Sequence, residues 1–78
     1  MNDRPYRHHS YRELRELREG TEASRATTYR LFSEERQHAP GSESMQILSH
    51  SYDHLSNTLT KIDAELEARH AERQRRST

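Results

Sequence analysis

The sequence predicts an all-α protein, an antiparallel hairpin of two long helices, coiled-coil-like, with disordered basic termini. Three observations lead there. Between Met45 and Leu66 the large apolar residues fall at Met45, Leu48, Tyr52, Leu55, Leu59, Ile62 and Leu66. Their steps alternate three and four without a miss, which is the seam of a coiled-coil or bundle helix. The chain has no valine or tryptophan and two isoleucines. A sheet has little to build with, whereas the abundant Ala, Leu, Glu, Arg and Gln all favour helix. Finally, Ala39-Pro40-Gly41 separates two helical stretches, and a short turn between long helices folds them back on each other.

Taken in order, residues 1–9 hold Pro5, two histidines and two arginines without periodicity and read as a flexible N-terminal arm. The hairpin is expected over 10–76. Ser10-Tyr11-Arg12-Glu13 has the S-x-x-E form of a capping box, so a first helix should span 11–38. Gly20-Thr21 is a weak point, yet a glycine inside a helix costs only about 1 kcal/mol, and a continuous helix is expected. Proline removes a donor and disfavours helix at Ala39, and Gly41 tolerates the turn, placed at 39–43. Ser42 or Ser44 can cap a second helix over 44–74, with Glu43 near its positive end. Glu65→Arg69 and Glu72→Arg76 are spaced for ion pairs that carry this helix past the seam. Gln74 to Thr78 should fray.

Folded back about the turn, the first helix offers Leu14, Leu17, Thr21, Ser24, Thr28 and Leu31 to the seam. In that register Leu31 meets Tyr52, Thr28 meets Leu55, Ser24 meets Leu59, Thr21 meets Ile62 and Leu17 meets Leu66. Small residues then lie opposite the largest apolar ones, as in close-packed helix pairs. Tyr11, Tyr29, Phe32 and Ile47 fall off these faces.

Apolar residues make up 28% of the 78 and charged residues 33%, against roughly 45–50% apolar in an ordinary domain. Ten large apolar residues are a thin core for roughly sixty helical ones, and the sequence has no cysteine to cross-link them. More protein is therefore expected around the hairpin, from a second copy or a partner. No apolar run approaches a membrane span and the N-terminus lacks a signal-peptide core, so a cytoplasmic location is expected.

Net charge is zero but unevenly placed. Residues 1–12 carry +2, residues 69–78 carry +3, and the body between them −5. Twelve of the thirteen basic residues are arginine, which binds phosphate in a bidentate way and stacks on bases. Arg4, Arg7, Tyr6, His8 and His9, with Arg69 to Arg76, are thus candidates for nucleic-acid contact. An acidic body and zero net charge weigh against it.

His50 and His54, four apart on a helix, have a spacing used for zinc, but a third ligand is needed and Asp53 points elsewhere. No metal site and no cofactor is expected. For catalysis there is no cysteine nucleophile, glycine-rich phosphate loop or G-x-S-x-G elbow. The neighbouring carboxylates Glu34 and Glu35 diverge by about 100° on a helix. An enzyme is not expected.

The three-four spacing of the seam resembles that of vesicle-fusion SNARE helices, and equally that of tethering or kinetochore complex subunits. The Pro40-Gly41 break and the lack of a clear central polar layer set it apart from a SNARE helix, and heptads alone assign no family. The expected function is protein–protein interaction, as an adaptor or structural subunit of a larger helical assembly or as a homo-oligomer. The residues expected to bind the partner are Leu48, Tyr52, Leu55, Leu59, Ile62 and Leu66 on the seam, with Tyr29 and Phe32. The alternative is an arginine-armed nucleic-acid binder.

Overall fold

The computed structural model describes residues 4–77, apart from the side chain of Ser77. Its two helices are α1, Tyr11–His38, and α2, Glu43–Ser77, and no strand occurs among the described residues. They pack along their length as a helical hairpin, a rod of 56 × 25 × 19 Å.

The capping chemistry sets the boundaries. Ser10 Oγ accepts from the Glu13 N–H at 3.1 Å while the Ser10 N–H donates to the Glu13 carboxylate at 2.9 Å. Two of the orphan amides at the start of α1 are thereby satisfied. The helix runs unbroken through Gly20, where the surrounding i→i−4 bonds outweigh the local glycine cost. It closes at Ala39, whose N–H reaches the Glu35 carbonyl at 2.7 Å. Gly41 then takes φ 79°, a left-handed conformation that a Cβ would strain. Of the two candidate caps Ser42 serves, accepting from the Met45 N–H at 3.1 Å and donating to Glu35 at 3.0 Å. Its hydroxyl ties the start of α2 to the last turn of α1. The helix begins at Glu43 and continues to Ser77, three residues past the expected end.

The core is small. Leu14 and Ile62 are fully buried and Leu59 nearly so. Met45, Leu48, Tyr52, Leu55 and Leu66 are half-buried, so the α2 seam faces α1 as its spacing requires. The α1 face is not the one expected. Leu17 is 37% and Leu31 43% exposed, and Ser24 is exposed as well. The inward row is Leu14, Arg18, Thr21, Arg25, Thr28, Phe32 and Glu35, each half-buried or buried, which again steps by four and three. Arg18 Nε binds Asp63 at 2.7 Å, Arg25 approaches Ser56 at 3.4 Å, and the rings of Tyr29 and Tyr52 lie 5.9 Å apart. Tyr52 therefore meets Tyr29 and Arg25 instead of Leu31. This rotation of α1 covers the seam with the ring of Phe32 and the aliphatic stems of two arginines, whose charged heads stay at the rim.

Residues 4–9, expected as a flexible arm, form a turn packed on α2, with Arg7 N–H to Arg4 O at 3.1 Å and His9 N–H to Tyr6 O at 3.2 Å. Residues 1–3 of that arm lie outside the described residues.

Candidate interaction surface

Two features of the hairpin could serve a partner. One is a clamp between the N-terminal turn and α2, and the other is the apolar surface left outside the core.

The clamp centres on Glu65, whose side chain is 3% exposed. Arg4 grips it in a bidentate way, Nε to Oε1 at 2.9 Å and Nη2 to Oε2 at 2.7 Å, and its remaining nitrogen reaches Glu72 at 2.8 Å. Arg69 adds Nε to Glu65 at 2.8 Å, and its Nη2 donates to the carbonyls of Tyr6, Arg7 and His9 at 3.2, 3.1 and 2.5 Å. A buried carboxylate is tolerable only when paired and fully hydrogen-bonded, and here both conditions are met. The hydrogen bonds from Arg4, aided by Arg69, overcome the opposing effect of burial and hold the Glu65 carboxyl down to about 2. Arg4 likewise lowers Glu72, and the Glu65 and Glu72 carboxylates raise Arg4. The expected Glu65→Arg69 pair is thus present within a larger network. Its long-range member, Arg4, is 61 residues away and left no periodic signal in the sequence.

At the other end of the hairpin, Tyr29 and Tyr52 stand between two open grooves. One, of about 420 Å³, is shared with Glu22, Arg25 and Ala26, and the other, of about 170 Å³, with Phe32 and Ser49. Arg25 lies over the Tyr52 ring, 5.8 Å from its centroid, a favourable cation–π distance. Tyr29 is 56% exposed, off the seam as expected. Phe32 is half-buried, and its placement off the seam is corrected by the rotation of α1.

The structure brings Leu48, Tyr52, Leu55, Leu59, Ile62 and Leu66 together on one face of α2, where they pack on α1. Only Leu59 and Ile62 are buried by it; the other four remain half-open. Leu17, Leu31 and Ile47, at 58% exposure, lie beyond the hairpin's own contact. Leu17 and Leu31, expected in the core from their spacing, lie on the surface. The signal that could have found them is the competing three-four row through Arg18, Arg25 and Phe32.

His50 and His54 are both exposed. Among the described residues no three histidines, cysteines or acids are grouped to hold a metal ion, and no helix is long and apolar enough to cross a membrane. No protein-family model matches the chain, and neither the curated proteins nor the solved structures give a significant match.

Proposed function

We propose that this chain is a non-enzymatic cytoplasmic interaction module, a helical hairpin that acts by joining further helices as an adaptor, a structural subunit or a homo-oligomer. The observation that carries this reading is the half-covered seam. Seven apolar residues repeat on α2, two are buried, and Leu17, Leu31 and Ile47 are left facing outward. A solvated face gains nothing from such spacing, whereas a covered one gains roughly 25 cal/mol for each Å² of apolar surface removed from water. The displaced carboxyls support a structural role too, since Glu65 and Glu72 are held in ion pairs and Glu13 in a helix cap.

The nucleic-acid alternative draws less support. Arg4, Arg18 and Arg69 are engaged by Glu65, Glu72, Asp63 and backbone carbonyls, so binding phosphate at those positions would mean breaking internal bonds. Light scattering of the pure chain at low and high salt, with and without a mixed-sequence oligonucleotide, separates the two readings. Helical assembly that persists at high salt supports the module. A chain that does not assemble, and that binds the oligonucleotide only at low salt, overturns it.

A further inference from the structure

The contacts Arg18–Asp63, Arg25–Ser56 and Tyr29–Tyr52 mark one long side of the hairpin as polar and internally paired. The opposite side is different. On α1 it begins at Leu17 and ends at Leu31, residues rotated about 60–100° from the inward row. Between these two leucines it holds the exposed Gly20, Ser24 and Thr27, and along its edge it shares the half-buried Thr21 and Thr28 with the inward row. On α2 the same side carries Ile47, Ser51, Leu55 and Thr58. In a chain that is 33% charged, none of these face residues is Asp, Glu, Lys or Arg. Three of its hydroxyls are satisfied from within, because Thr21 donates to the Leu17 carbonyl at 2.7 Å, Thr28 to the Ser24 carbonyl at 2.8 Å and Thr58 to the His54 carbonyl at 3.0 Å. Such a face can be covered without stranding a charge, and Ser24 on one copy can bond its counterpart on the other. The N-terminal turn covers only its far end, around Glu65 and Arg69.

We infer that this face binds a second copy of the chain, α1 antiparallel to α1, about a two-fold axis at Ser24. The inference rests on the interaction-module reading and names its partner. The distribution of sizes is what selects a second copy. Leu17 and Leu31 lie seven residues either side of Ser24, about 21 Å apart, and everything between them is small. A two-fold axis at Ser24 sets Leu17 of one copy against Leu31 of the other, Gly20 against Thr28 and Thr21 against Thr27. Large residues then close both ends while glycine, serine and threonine let the backbones approach in the middle. An isologous interface requires such self-complementarity, and a foreign helix does not. Nothing crosses the Gly20 position within the chain, since a Cβ there would meet no atom within 4 Å. Zero net charge leaves no overall repulsion between copies.

The chain has no cysteine, so single-cysteine variants report the axis cleanly. In Ser24→Cys two copies meet thiol to thiol and should form a disulfide-linked dimer under mild oxidation, because a two-fold axis brings equivalent Cα atoms within the roughly 4.4–6.8 Å a disulfide needs. Ala26→Cys, exposed on the other side of α1, should remain largely uncross-linked. Leu31→Asp should raise the dimer dissociation constant at least about tenfold with helicity retained at high concentration. A dimer in which Ala26→Cys links as readily as Ser24→Cys, or which tolerates Leu31→Asp, overturns this face. A monomer at every concentration overturns the second copy and leaves a module for a foreign helix; nucleic-acid binding by an unassembled chain would instead remove the module reading itself.

Discussion

Replacing Glu65 with glutamine isolates the clamp that ties the N-terminal turn to α2. The carboxylate accepts three hydrogen bonds from Arg4 and Arg69 at 2.7–2.9 Å and is almost fully buried. An amide of the same shape keeps one acceptor oxygen and turns two N–H donors toward guanidinium groups that can only donate. Breaking a fully buried pair costs about 3–5 kcal/mol. Arg4 and Arg69 retain 29% and 22% side-chain exposure, so water recovers part of that and about 2 kcal/mol is expected. For a domain of this size each kcal/mol moves the melting temperature by about 4–8 °C, so Glu65→Gln should melt about 8–16 °C below the parent. Thermal melts followed by circular dichroism at neutral pH give the value, and a double-mutant cycle with Arg4→Ala assigns it to the pair. If Glu65→Gln melts with the parent, or if the two substitutions are strictly additive, the clamp contributes nothing and the packed turn is incidental.

The same carboxyl predicts the acid limb. Its folded value, about 2, lies below the unfolded 4.5. Its contribution is therefore fully present above about pH 4.5 and is lost as pH falls toward about 2. Glu72 and Glu13 shift in the same direction. Acid titration should thus show stability falling across that window, less steeply in Glu65→Gln; parallel curves for the two proteins would contradict the assignment. Ser10→Ala removes the hydroxyl of the capping box and should cost about 1 kcal/mol, read as fraying of α1 by hydrogen exchange at residues 11–14. Leu59→Asp puts a charge at a position 5% exposed in the middle of the seam and should abolish helicity and assembly together; a variant that keeps both would refute the seam.

The helix boundaries were legible because local chemistry fixes them. Ser10 with Glu13, and Ala39-Pro40-Gly41, act within a few residues, and each did what its type requires. The α2 seam was legible because no other three-four row on that helix competes with it. On α1 two rows compete. They share Leu14, Thr21 and Thr28, and they differ by exchanging Leu17, Ser24 and Leu31 for Arg18, Arg25 and Phe32. Hydrophobicity favours the first row. The second prevails through Phe32 and through partners, Asp63 and Ser56, that lie on the other helix. The clamp was half-legible. Glu65→Arg69 is a local spacing, but the approach of Arg4 depends on α2 reaching back past the start of α1, and no short-range pattern encodes that.

The central claim is that this hairpin is incomplete alone and is finished by other helices. The most direct test is circular dichroism over roughly a hundredfold range of concentration, with light scattering on the same samples, since association stabilises a fold by mass action. Helicity and melting temperature that rise with concentration toward a discrete dimer or higher mass are the predicted result. A cooperative melt at a fixed, high temperature from a monomer at every concentration would contradict the account, because three buried apolar residues would then suffice.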